Sequence, residues 1–133
     1  MPVFLIDGNN FSTLEEFFDE VERVLVSSRS WGRNLDAFND VLRGGFGTPE
    51  GGFVLKWRHS ERSRHHLGYD ETIRQLQLRL KTSHPASRAA IMHDLQLATN
   101  RTGPTVFDWI TTIIREHGPG GSEARDGVQL VIE

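Results

Sequence analysis

Three short runs rich in apolar residues, VFLI (3–6), FVLKW (53–57) and VQLVI (128–132), have the length and composition of strands, and helical patterning fills the sequence between them. Antiparallel neighbours can be joined by a tight turn, whereas strands separated by helices are joined by crossovers and lie parallel. Asp7-Gly8 could turn a hairpin, but a helical pattern follows it in place of a second strand. Short apolar strands are also what a parallel sheet requires. The order strand, helix, helix, strand, helices, strand therefore predicts an α/β fold. It is expected to be a three-stranded parallel sheet with helices mainly on one face, in two layers.

Leu14, Phe17, Phe18, Val21 and Leu25 recur at helical spacing and predict a helix over 13–26, with Ser12 and Glu15 as its capping box. WGRNLDAFNDVL (31–42) predicts a second, shorter helix capped by Asn34, with Leu35, Phe38, Val41 and Leu42 on one side. GGFGTPEGG (44–52) is a glycine-dense loop that delivers the chain into the second strand. Residues 58–69 are polar and basic, with weak helical potential. Helices are expected over 70–80, 87–98 and 105–117, the first of them stopping near Ser83-His84-Pro85.

A length of 133 residues favours one domain, and 37% hydrophobic with 25% charged residues is ordinary for a soluble globular protein. Cysteine is absent, which excludes disulfides and thiolate zinc sites and fits a reducing compartment. No apolar run reaches membrane-spanning length, and no charged-then-apolar leader precedes the first strand-like run, so a cytoplasmic location is expected. The net charge of −3 names no partner, but its distribution is uneven. TLEEFFDEVERV is acidic and KWRHSERSRHH is basic.

His59, His65 and His66 match no zinc spacing, so neither a metal nor a cofactor is expected. GGFGTPEGG lacks the Lys-Ser/Thr ending of a phosphate loop and precedes a strand, and no nucleophile elbow is present. Asp36 and Asp40 stand one helical turn apart, a like-charge spacing that costs a helix about 0.2–0.5 kcal/mol. As a general acid–base pair they would need a pocket into which Glu116 also converges. The basic segment 56–66 supports a different reading, an RNA- or protein-binding module. Trp57 within it ends an apolar strand and is expected in the core.

The order of motifs resembles the barstar family, intracellular inhibitors of secreted bacterial ribonucleases. IDG ends the first strand, WGRNLDAFNDVL resembles the family's glycine–x–Asn–Leu–Asp–Ala helix, FVLKWR its second strand, and IIREH with the terminal apolar run its last helix and strand. The resemblance covers about residues 3–67 and 104–132, and about 68–103 looks like an inserted helical hairpin within a single domain. It implies a monomeric inhibitor without catalytic activity that blocks a guanyl-preferring microbial ribonuclease or related toxin nuclease. Asp40 falls where the family places the aspartate that occupies the nuclease's phosphate site. Leu35, Asp36 and Gly44 fall on contact positions, and Glu116 on a contact glutamate of the last helix. Ser30, Asn39 and Gly45 stand where the family has aromatic residues, and Arg33 and Arg43 flank the aspartates. These departures point to a nuclease other than barnase, with Asn39 and either Trp31 or Phe46 contributing to the contact. The acidic first helix would steer a basic nuclease.

Overall fold

The computed structural model describes residues 1–26, 31–44, 46–49 and 51–133. Three strands, β1 (Val3–Asp7), β2 (Phe53–Arg58) and β3 (Val128–Ile132), form one sheet in the order β1-β2-β3, both pairs parallel. Six α-helices accompany them among the described residues: α1 (Leu14–Leu25), α2 (Leu35–Leu42), α3 (Ser60–His66), α4 (Tyr69–Thr82), α5 (Arg88–Thr99) and α6 (Val106–Glu116). The expected elements are all present, and α3 forms where only weak helical potential could be read.

The sheet has one covered face. Ile6, Phe53, Leu55, Trp57 and Val128 are each at most 1% exposed, whereas Val3, Leu5 and Val131 on the opposite face are 54%, 47% and 36% exposed. Register explains the division: Leu5, Lys56 and Val131 are aligned neighbours, as are Val3, Val54 and Gln129. Side chains one residue apart point to opposite faces. The two-layer expectation therefore holds.

The core between the layers is aromatic. Phe17 stacks on Trp57 at 5.5 Å and meets Phe38 edge-on at 5.3 Å, which joins α1, β2 and α2 around one point. Gly8 permits a close approach beside it. A Cβ there would lie 2.4 Å from Ser63 Oγ and 2.5 Å from the His59 carbonyl, so only glycine lets the turn after β1 rest on α3.

The cap of α1 is Thr13, not Ser12: the Thr13 side chain accepts from the Glu16 amide, and Glu16 accepts from the Ser12 amide. No reciprocal capping box closes here: Glu16 reaches the Ser12 amide, one residue before the cap, and the expected Ser12–Glu15 pair does not form. A second N-terminal amide of α1, that of Leu14, donates to the buried Glu71 of α4 at 2.8 Å. Thr72 of α4 accepts from the Val106 amide at the start of α6. Thus α4 satisfies the first turns of two other helices, donors that would otherwise be orphaned. α5 is different, with only Ala98 buried.

Candidate functional site

The candidate contact positions are carried by α2 and the turn after it. The chain enters the helix through two left-handed residues, Gly32 (φ 75°) and Arg33 (φ 51°). Asn34 then caps it, its Oδ1 accepting from the Ala37 amide at 2.7 Å. Phe38 and Val41 are fully buried and Leu42 is 1% exposed, which fixes one side of the helix in the core. Asp36 and Asp40 are exposed on another side, one above the other.

The two carboxylates have different neighbours. Asp36 makes no ion pair among the described residues. Asp40, 56% exposed, accepts from Arg43 Nη1 at 2.7 Å. Arg43 in turn donates to Glu123 at 2.6 and 3.2 Å, which ties the end of α2 to the loop before β3. Beneath that tie lies His117, wholly buried at the C-cap of α6. Its Nδ1 lies 2.7 Å from Asp126 Oδ2 and its Nε2 2.6 Å from Asn39 Oδ1.

The other end of α2 borders an open cleft of about 610 Å³. Arg33, Leu35 and Asp36 form one side, Leu14, Glu15 and Phe18 of α1 the second, and Gln75 and Arg79 of α4 the third. The helical hairpin therefore stands beside the candidate surface through α4.

The other candidate residues have varied settings. Trp31 is 3% exposed, packs edge-on against Phe18 at 5.7 Å and donates its Nε1 hydrogen to Glu22. It belongs to the core, where so large an apolar surface gains most by burial. Asn39 is half-buried and turned inward to His117. Phe46 is partly buried against the core. Gly44 holds the turn after α2 at φ 99°, its amide bonded to the Val41 carbonyl. Glu116 is exposed and borders a shallow depression with Thr112, Arg115 and residues 119–121, where its side chain makes no ion pair to α2. Glu123 is the carboxylate that reaches α2 from that side. The sequence signal that could have found it was only one of two acids, Glu123 and Asp126, in a glycine-rich loop. Ser30 and Gly45 lie outside the described residues.

Both charged segments are matched internally. Asp19 and Glu22 of α1 pair with Arg33, Glu15 pairs with Arg74, and Glu20 is buried, accepting from the Asp7 amide and from Asn10 and Arg23. Long-range steering by this helix is correspondingly reduced. In the basic segment, Lys56 and Arg58 lie beside Glu133, and Arg64 lies over the Phe107 ring at 4.5 Å. Arg62 donates to the carbonyls of Gly8 and Phe11 at 2.6 and 2.7 Å. Trp57 is fully buried, as expected of a core residue. Cations so engaged give little support to a nucleic-acid surface. No helix is long and apolar enough to cross a membrane among the described residues.

A small α/β protein that carries exposed carboxylates on a short helix packed into its core is the class these features define. The chain belongs to the Barstar (barnase inhibitor) family, whose pattern matches residues 1–81. Proteins of that family are inhibitors and not enzymes. The match runs from β1 into α4, past residue 68 where the resemblance was expected to break off. It does not include 104–132, where the resemblance was expected to resume. In the fold, α6 packs against α2 and leads into β3. No curated protein matches the chain.

Proposed function

We propose that the chain is a cytoplasmic, monomeric inhibitor or immunity protein that seats α2 in the active site of a guanyl-preferring microbial ribonuclease or related toxin nuclease. Asp40 occupies the phosphate site, Asp36, Leu35 and Gly44 make flanking contacts, and Phe46 contributes at the edge. A ribonuclease active site holds cations aimed at a phosphate, and these repel one another until an anion arrives. A carboxylate on a preformed helix supplies that anion without a scissile bond.

One observation carries this reading: two exposed carboxylates, a turn apart, on a helix whose opposite side is fixed in the core. The Asp40–Arg43 pair is compatible with it. An exposed pair of that kind contributes about 0–1 kcal/mol, whereas a charge pair desolvated in an interface can contribute several. A nuclease cation can therefore displace or join Arg43 at small cost. (The interface scale was set on a member of this same family, so it is a comparison and not an independent derivation.)

The same reading treats residues 1–133 as one domain with the hairpin integrated into it. The burial of Glu71 and Thr72 between α1, α4 and α6 supports this. Titration of guanyl-preferring ribonucleases, barnase among them, with the full chain is expected to give stoichiometric loss of activity. Asp40→Ala is expected to raise Kd at least a hundredfold, about 2.7 kcal/mol. Inhibition that survives this substitution unchanged would refute the role given to Asp40.

A further inference from the structure

We infer that His117 is a positioning residue for α2: its buried imidazole clamps the helix to the loop before β3 and so sets the direction in which Asp40 is presented. The functional half of this inference rests on the reading of α2 as the inhibitory helix.

A wholly buried imidazole is costly unless both ring nitrogens have partners. Here both do. An ionised carboxylate can only accept, so at 2.7 Å from Asp126 the proton sits on Nδ1. Nε2 meets the side-chain amide of Asn39 at 2.6 Å. An amide presents either oxygen to an N–H or its NH₂ to a lone pair, so the bridge is satisfied in either protonation state of Nε2. Asn39 lies between Phe38, fully buried, and Asp40, exposed. Holding its side chain fixes the rotation of α2 at the residue next to the proposed phosphate mimic.

A second strut ends on the same loop, from Arg43 to Glu123. The loop is itself closed: the Glu123 amide bonds the Glu116 carbonyl, and the Val128 amide bonds the His117 carbonyl, each within 3 Å. A clamp is what a helix of eight residues needs. Two turns are marginal alone, and its apolar anchors Phe38, Val41 and Leu42 fix depth better than rotation, because apolar contact is not directional.

His117, Glu123 and Asp126 also form a group whose ligand atoms lie within 4.8 Å of one another. Two donors on one tetrahedral zinc stay roughly 3.3 Å apart. The Nδ1–Oδ2 separation of 2.7 Å is shorter and is a hydrogen bond. The geometry points to a proton-held clamp and not a metal centre.

The test uses the full chain with His117→Ala, His117→Gln, Asn39→Ala and the His117→Ala/Asn39→Ala double variant. In the free proteins, amide exchange over Asn39–Leu42 should accelerate at least tenfold in His117→Ala and Asn39→Ala, with β1 and β2 keeping their protection. Binding to barnase and other guanyl-preferring ribonucleases should weaken about tenfold through faster dissociation. The double variant should be no worse than the worse single, and His117→Gln should recover part of the loss. Unchanged exchange over α2, loss spread evenly through the sheet, or additive effects in the double variant would each overturn the clamp. So would a rise in melting temperature with zinc that Asp126→Asn abolishes. Failure of the wild-type chain to inhibit any ribonuclease overturns the proposed function instead, and the exchange measurement still decides whether His117 holds α2.

Discussion

Asp36 and Asp40 are the same residue type one turn apart on one helix, yet the protein treats the two ends of that helix in opposite ways. At the Asp40 end, Asn39 is bonded to a buried histidine and Arg43 to Glu123, so backbone and neighbours are tied to the terminal loop. At the Asp36 end, the helix opens onto a cleft walled by α1 and α4, and the carboxylate has no ion partner among the described residues. The contrast teaches that exposure alone does not rank two charges as ligands. A carboxylate whose position is fixed beforehand loses less freedom on binding than one at an open end. Under the proposed function, Asp40 should thus be the better phosphate mimic although it is the one already paired.

The comparison breaks most visibly if the ranking of the two aspartates is wrong. Asp40→Ala is expected to cost at least a hundredfold in Kd, Asp36→Ala only about fivefold, near 1 kcal/mol, each read from inhibition titrations at fixed salt. Equal losses would mean that bracing contributes nothing and that the whole face acts by charge. The scaffold of the open end is tested by Glu71→Ala, whose expected effect lies between those two. Glu71 caps the Leu14 amide from inside the protein, with Arg74 and Gln75 also donating to it. Its removal orphans a buried amide at a helix N-terminus and should lower unfolding stability by about 2 kcal/mol, measured by urea denaturation. A loss below a few tenths would show that α4 merely leans on α1.

The parts legible in the sequence are those that local chemistry decides. Short runs rich in apolar residues located the three strands, periodicity located α1, α2 and α6, and Asn34 was readable as a cap because its side chain bonds within its own turn. What could not be read depends on residues far apart. Glu71 caps α1 from 57 positions away, and His117 reaches Asn39 across 78. Nothing in IIREH marks its histidine as buried, and nothing in GGSEARD marks Glu123 as the acid that meets Arg43. The burial of Trp31 was hidden for a related reason. An aromatic residue beside a contact helix suits an interface and a core equally well, and only the position of Phe18 decides between them.

The smallest expected effect concerns pH and the seam between α1 and α4 at the open end. Partial burial pushes the Glu15 carboxyl up, but hydrogen bonds from Gln75 at 2.7 Å and from Arg74 outweigh it and hold the group below its ordinary value of 4.5. A carboxyl depressed in the folded state adds stability that is fully present above its unfolded value and is lost as pH falls through the folded one. The contribution should therefore be constant from neutrality to about pH 5 and fade below 4.5. Glu15 is half exposed, so solvent screening keeps it under about 1 kcal/mol. Asp7, lowered by the Asn9 amide and by His59, fades over a similar range, so acid sensitivity alone does not isolate the seam. Glu15→Gln does: its urea midpoint should lie below that of wild type at pH 7 and approach it as pH falls below 4.5. Midpoints that stay parallel across that range would mean that the Glu15 contacts with α4 are not electrostatic. The difference between the open end and the end tied to the terminal loop would then be sharper still.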